Sequence, residues 1–396
     1  VKILIGIVSV LIILLMAYAV SYDRKHIKIK PLVWLLSLQL IFAYAMLNSN
    51  IGQVIINGIV AGFDKLLKFA GVGIHFVFGG IINDNSFSFF FNVLMPIVFI
   101  SALIGILQYW KVLNWIIRAI GFLLSKVNGM GKLESYNAVG SAILGQSEVF
   151  ISLKKQIPHL SQQRLYTICT AAMSTVSAAI IAAYMQLIEP RFVVCAVVLN
   201  LFGSFIIASL INPYEVNAAD DVLDIEEEQQ SFFEMLGEYI LDGFKIAVIV
   251  AAMLMGFIAL IDMVNAIFTS LFGISFQHFL GYLFAPLAFL VGIPWHDAVG
   301  AGTIMATKVI TNEFVAMQEL KSSLQSGANL FDERSLGIVS VFLVSFANFG
   351  SIGIICGTIK ALDVRQGNVV ARFGFRLLYG ASLVSFLSAT VVGLML

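Results

Sequence analysis

Long stretches of this chain carry no charged side chain: Ile3 to Tyr22, Leu32 to Phe63, Asn85 to Trp110, Leu165 to Ile188, Phe192 to Tyr214, Met263 to Trp295, Leu336 to Ile359 and Leu377 to Leu396. Roughly 20 apolar residues suffice for one helical crossing of a bilayer, so most of these runs are long enough to span. Backbone polar groups in hydrocarbon must be satisfied within the protein, which leaves helices or closed barrels. The runs lack the alternating segments of about ten residues that mark a barrel strand. Composition agrees, with 12% charged residues where a soluble domain has about 25%. The expected fold is an all-α polytopic membrane protein: about eight transmembrane helices plus two re-entrant hairpins and an interfacial helix, with an inverted repeat.

Charge sets further bounds. The 23 basic and 23 acidic residues cancel, so no overall field points to nucleic acid. Cys169, Cys195 and Cys356 are scattered through apolar segments and match neither a disulfide framework nor a metal motif. The five histidines, His26, His75, His159, His278 and His296, show no metal-ligand spacing. Ala17-Tyr18-Ala19 mimics a signal cleavage site, but the apolar stretch outruns a typical signal core and is taken as a span. The chain begins on Val1, and a trimmed start is expected.

Short cytoplasmic loops are enriched in Lys and Arg. The stretch Asp23-Arg24-Lys25-His26-Ile27-Lys28-Ile29-Lys30 is therefore placed inside and the N-terminus outside, in the periplasm. Lys126, Lys132, Lys154, Lys155, Arg164, Arg365, Arg372 and Arg376 fall on that same side if the segments carrying Gln146 and Glu313 enter and leave from one face. The segment from Glu134 to Lys154, with Gly140 and Gly145 near its middle, is too short for two crossings and too polar for one ordinary span. Both are read as hairpins; a polar-lined full span is the alternative for the first. Phe63 to Ala70, with Asp64, Lys65 and Lys68, has the pattern of a helix lying at the interface. Asn212 to Gln230, with Asp220, Asp221, Asp224, Glu226, Glu227 and Glu228, reads as a cytoplasmic linker or exposed helix.

A weak repeat spans that acidic divide. Each part offers a hairpin, then a span with a polar, small-residue stretch at its middle, then a last span. The hairpins carry Gln146 and Glu148 in one part and Asn312 and Glu313 in the other. The mid-span stretches are Met173-Ser174-Thr175-Val176-Ser177-Ala178-Ala179 and Phe346-Ala347-Asn348-Phe349-Gly350-Ser351-Ile352-Gly353. Paired broken helices are a pointer to the midplane binding site of a transporter. Ionisable groups in hydrocarbon are functional-site hypotheses, and Glu148 and Glu313 are two of them. With Gln146, Ser147, Asn312, Asn348 and Ser351 they form a hydrogen-bonding set suited to a neutral polyhydroxylated or heteroaromatic solute, and Phe314 and Phe346 offer an apolar face. Structural alternatives are ion pairs of Glu148 or Glu313 with Lys154 or Lys308, and amides that only join neighbouring helices. No span joins a Ser or Cys nucleophile to a His base, so the reading is not enzymatic.

Gly145-Gln146-Ser147-Glu148, Asn312-Glu313-Phe314-Val315-Ala316 and the Phe346 to Gly353 stretch resemble, in order and spacing, the signatures of the concentrative nucleoside transporter family in its bacterial eight-span form. The resemblance covers essentially the whole chain. It implies a secondary active importer of nucleosides such as uridine, a homotrimer in the bacterial inner membrane, working by elevator-type alternating access. In that scheme 1–130 forms scaffold helices, 131–212 and 276–396 form the two halves of a transport domain, and 213–275 holds the acidic linker and a long scaffold span. Gln146, Ser147, Glu148 and Ile180 would hold the base; Glu313, Asn348 and Ser351 the ribose, with Phe346 beside the base. A sodium ion would sit among Ser141, the carbonyls of Leu144 and Val176, and Thr175. Serine stands at Ser141 where the family usually has asparagine, which implies weakened sodium coupling or a proton-coupled variant. Ser147 replaces a common threonine and Val149-Phe150 a common Ala-Pro, departures that bear on base selectivity. Transport of another neutral polar solute is the remaining alternative.

Overall fold

The computed structural model describes residues 2–82, 87–216, 221, 223, 225, 230–327 and 331–396. Every regular element among them is helical. The helices are α1 (Lys2–Ala19), α2 (Ile29–Asn48), α3 (Asn50–Phe78), α4 (Pro96–Tyr109), α5 (Val112–Ser125), α6 (Lys132–Ile143), α7 (Gln146–Ser152), α8 (Gln162–Ser174), α9 (Ala178–Tyr184), α10 (Pro190–Ile211), α11 (Phe232–Phe272), α12 (Phe276–Leu290), α13 (Trp295–Ile310), α14 (Glu313–Ser326), α15 (Glu333–Leu343), α16 (Phe349–Leu362) and α17 (Val364–Met395). Six described helices, counting α8 with α9 and a π turn with α4, are long and apolar enough to cross a bilayer; α12 with α13, bent by 116°, would make a seventh. The chain is an all-α multi-pass membrane protein.

Both expected hairpins form, each for a local reason. Between α6 and α7 lies Leu144-Gly145, and Gly145 has φ 123°, open to glycine and strained for any other residue. Gly140 lies so close to Val149 that a Cβ on it would come within 2.8 Å of the valine methyl, so the two arms fold back on each other. Between α13 and α14 lies Thr311-Asn312; Asn312 Oδ1 accepts from the Val315 N–H at 3.0 Å and caps α14. Gln277 of α12 donates to Thr307 Oγ1 on one arm (3.3 Å) and to Glu319 Oε2 on the other (3.1 Å).

Both expected broken helices form as well. The first is interrupted between Ser174 and Ala178, the second between Leu343 and Phe349, where Asn348 caps α16 by accepting from the Ser351 N–H at 2.9 Å. Hairpin, broken helix and long helix thus recur as α6 to α10 and α13 to α17. The interruptions leave helix-end carbonyls without an intrahelical donor, and buried side chains supply some of the missing bonds. Asn200 Nδ2 of α10 donates to the Val344 carbonyl at 2.6 Å.

Two of the charge-free runs divide between helices. Within Met263 to Trp295, α11 stops at Phe272, Gly273 turns the chain at φ 75°, and α12, starting at Phe276, then runs at a steep angle to α13. The charge-free run Leu32 to Phe63 divides at Ser49, whose side chain accepts from the Gly52 N–H and starts α3. Phe63 to Ala70 is the middle of that 29-residue helix rather than a separate element. Of the acidic stretch, Asp220, Asp224, Glu226, Glu227 and Glu228 lie outside the described residues.

Basic loops gather at one end of the molecule, as the hairpin reading required. Arg376 donates to the Val20 carbonyl, Tyr22 N–H to the Ile211 carbonyl (2.8 Å), Arg365 to Pro158 (2.5 Å), and Gln366 to Leu160 (2.8 Å). Arg164 grips the fully buried Glu134 through Nε (2.6 Å) and Nη2 (3.0 Å), and Tyr214 donates to the same carboxylate. A two-pronged guanidinium pair of this kind fixes geometry as well as charge. It anchors the start of the first hairpin to the start of the first broken helix.

Candidate functional site

The second hairpin and the two broken helices meet at Glu313. This residue opens α14, and its carboxylate accepts from Tyr184 Oη at 2.8 Å and from Asn348 Nδ2 at 2.9 Å while only 4% exposed. Asn348 uses its two ends differently, capping α16 through Oδ1 and holding Glu313 through Nδ2. Ser351 lies one turn on, buried, with its N–H taken by that cap. Two side-chain donors among the described residues leave the carboxylate lone-pair capacity to spare, and hydroxyl groups of a ligand are suitable partners for it.

The first hairpin supplies the other side. Gln146 opens α7; its Oε1 is buried and has no hydrogen-bond partner among the described residues. Ser147 Oγ reaches Thr358 Oγ1 of α16 at 3.3 Å. A Cβ on Gly145 would lie 2.6 Å from Glu148 Oε2 and 3.3 Å from the Ser177 Cβ, so Glu148 and the α8/α9 interruption both press on the hairpin tip. Ile180 is buried one turn into α9, and Tyr184 follows it by another turn. Phe346 is buried, and its N–H donates to the Thr175 carbonyl. The Phe314 ring stacks edge-on against Tyr184, 5.0 Å between centroids.

The residues expected to hold an ion are all buried. Ser141 Oγ donates to the Asn137 carbonyl at 2.7 Å and Thr175 Oγ1 to the Ala171 carbonyl at 3.1 Å. These bonds use the hydroxyl protons and leave oxygen lone pairs free, so the neutral oxygen set suits a weakly held monovalent cation. A Cβ on Gly145, the residue after Leu144, would lie 3.3 Å from the Ser177 Cβ, so the first tip packs against the α8/α9 interruption.

Sequence reasoning did not single out Tyr184 or Thr358. A phenol one turn past Ile180 at the end of an apolar run was the available signal for the former. Lys308 was weighed as a partner of Glu313, and the structure sends it elsewhere: its Nζ donates to the Phe342 carbonyl and to Ser345 and Ser385.

A cavity of about 610 Å³ runs from Leu144, Glu148, Ser177 and Ala179 past Gln108, Asn114 and Asp242 to Lys111, Lys154 and Gln230. Its far wall is α4 and α11, and it opens toward the end where the basic loops lie. Site and cavity together define a membrane transporter, with a buried polar site between two hairpins and two broken helices.

The comparisons give the family. A model of the N-terminal part of the Na+ dependent nucleoside transporters matches residues 8–81, a nucleoside recognition (gate) model residues 90–191, and a model of the transporters' C-terminal part residues 192–393. The chain belongs to the Na+ dependent nucleoside transporter family. It is 35% identical to the purine nucleoside transport protein NupG of Bacillus subtilis, over 99% of this chain and 98% of that protein. It is 30% identical to the putative nucleoside permease NupX of Escherichia coli, over 98% of this chain and 97% of that one. The solved structure of CNTnw in an inward-facing substrate-bound state matches with a TM-score of 0.94 at 28% identity, covering 100% of this chain and 98% of that chain. A substituted CNTnw in an outward-facing state matches with the same TM-score, 0.94, and the same identity.

Proposed function

We propose that the chain is a secondary active nucleoside importer of the eight-span bacterial form, with Gln146, Ser147, Glu148 and Ile180 facing the base, Glu313, Asn348 and Ser351 facing the ribose, and Phe346 beside the base. The observation that carries this reading is Glu313. A carboxylate buried between the hairpin and both broken helices, held by two side-chain donors among the described residues, is matched by the vicinal hydroxyls of a ribose. A solute without those hydroxyls leaves the carboxylate short of partners in a dry site, which is heavily penalised. Names of the relatives, purine nucleoside transport protein and nucleoside permease, support the substrate class.

Sodium is the proposed coupling ion, at Ser141, Leu144, Thr175 and Val176. An ion there would tie the first hairpin tip to the first broken helix and preorganise Gln146 and Glu148. Serine's short hydroxyl makes that tie weaker than the usual asparagine would.

Alternating access is proposed to move the hairpins and broken helices past a frame. The expected segments 131–212 and 276–396 supply the mobile part, and α4 and α11, across the cavity, belong to the frame. Residues 1–130 were expected wholly in the frame, but α1 and α2 fit the mobile part better: Gln39 donates to the Leu199 carbonyl (3.0 Å) and Tyr379 to Met16 (3.2 Å). Most of α11 is left uncovered by its own chain, which suits copies meeting in a homotrimer as well as lipid. The inner membrane with a periplasmic N-terminus follows from the basic end being cytoplasmic. Uptake of radiolabelled adenosine and uridine into proteoliposomes, with and without an inward sodium gradient, tests the whole reading. No accumulation of either nucleoside above empty liposomes would sink it.

A further inference from the structure

Lys308 is fully buried, yet no step of the proposed transport uses it. Its position becomes informative when the two halves are set in register. Each hairpin tip has two residues between its helices, Leu144-Gly145 in one and Thr311-Asn312 in the other. Counting back from the tips, Ser141 and Lys308 stand at the same place in the first arm. Counting forward from the ends of α8 and α15, Val176 and Ser345 stand at the same place in the interruption. Ser141 and Val176 are two of the proposed sodium positions, and their counterparts touch: Lys308 Nζ donates to Ser345 Oγ at 2.6 Å. Its other two protons go to the Phe342 carbonyl (2.9 Å) and Ser385 Oγ (3.2 Å), and the ammonium lies 4.5 Å over the Phe342 ring. All three donors are thus used, with a ring face in addition.

We propose that the Lys308 ammonium is a tethered cation in the repeat-related counterpart of the sodium position, clamping the second hairpin to the interruption of the second broken helix. The inference rests on the proposed ion-coupled transport for its meaning but not for its test. The first half then depends on an ion that comes and goes, whereas the second half carries its own. Glu313, five residues beyond Lys308, is held in place in every state, and only the first hairpin responds to sodium. Lys308 is a positioning residue.

Removing the side chain creates a space lined by the same oxygens, which a small cation can enter. The test uses the full chain in nanodiscs, with Cys169, Cys195 and Cys356 replaced and Thr311→Cys as reporter at the second tip, without nucleoside. Maleimide labelling should be slow and independent of sodium with Lys308 present. In Lys308→Ala it should rise roughly 5- to 150-fold in choline, the range of a typical coupling energy, and fall again in sodium or ethylammonium. Labelling of Lys308→Ala at the parent rate, or a faster rate that neither cation slows, overturns the proposal. Should Lys308→Ala not fold, the Ser345→Ala/Ser385→Ala pair, which keeps the lysine but strips two acceptors, must also label faster, and the parent rate there overturns it. Failure of the transport reading shows separately, as absent uptake by the parent protein.

Discussion

The backbone N–H of Phe346 donates to the backbone carbonyl of Thr175 over 3.3 Å, joining the interruption of one broken helix to that of the other. Tyr184 and Glu313 add a side-chain link between the same two halves. The groups proposed to face base and ribose are therefore tied to one another, as the proposed movement of an intact site requires.

Glu313→Gln exchanges a charged acceptor for a weaker amide oxygen and should reduce ribonucleoside binding by roughly 1.5 to 3 kcal/mol. Tyr184→Phe removes one of the two side-chain bonds seen on the carboxylate and should have a smaller effect, about 0.5 to 1.5 kcal/mol. Calorimetric titrations with ribonucleosides and their 2′- and 3′-deoxy analogues check both; parent-like affinity in Glu313→Gln removes it from ribose recognition.

Gln146 has a buried acceptor with no partner among the described residues at the start of α7, so Gln146→Ala should alter the ratio of adenosine to uridine uptake while leaving dependence on the ribose hydroxyls intact. A competition panel decides the matter. An equal decline for every nucleoside would make the residue structural.

Ser141→Asn should restore steep sodium dependence and tighten nucleoside binding by about 5- to 150-fold, the span of ordinary ligand coupling. Titrations in sodium and in choline on both proteins supply the comparison. Equal sodium stimulation in the two means the cation lies elsewhere.

Gly145→Ala should disable the first hairpin. A Cβ there meets Glu148 Oε2 at 2.6 Å and forces a non-glycine residue to φ 123°, strain on the order of 1 to 3 kcal/mol. Loss of nucleoside binding with a retained helical circular dichroism spectrum is the expected result. Full binding by the alanine variant would show that the tip relaxes without harm.

Movement of the site past a frame predicts that a cysteine at Ser147, in a background lacking the native cysteines, reacts with a membrane-impermeant reagent from opposite sides in different ligand states. Labelling from one side under all conditions argues against the movement.

Much of this was legible because hydrocarbon leaves a chain few choices. Charge-free runs had to become helices, and the Lys- and Arg-rich loops had to gather at one end once two segments folded back. The two polar interruptions, Met173 to Ala179 and Phe346 to Gly353, announced broken helices because unwound backbone at that depth needs a reason. The segment Glu134 to Lys154 was legible as a hairpin because it is too short for two crossings and too polar for one ordinary span, with Gly140 and Gly145 near its middle. Boundaries were less legible in the residues themselves: apolar residues in the run Met263 to Trp295 suit one span as well as a helix end, a glycine turn and a second helix, and the division at 275 came with the family resemblance. Long-range pairing was not legible at all. Tyr184 and Glu313 are separated by 129 residues, and a phenol among many aromatic residues carries no mark of its partner. An ion pair of Glu313 with Lys308 was one structural alternative. The hydrogen bonds of the ammonium go to the Phe342 carbonyl and two hydroxyls, because a helix end interrupted inside the protein has carbonyls that a buried donor can satisfy. Sequence determined which segments cross, fold back or break; tertiary packing decided which of their polar groups meet, since those bonds depend on how whole helices lie against one another.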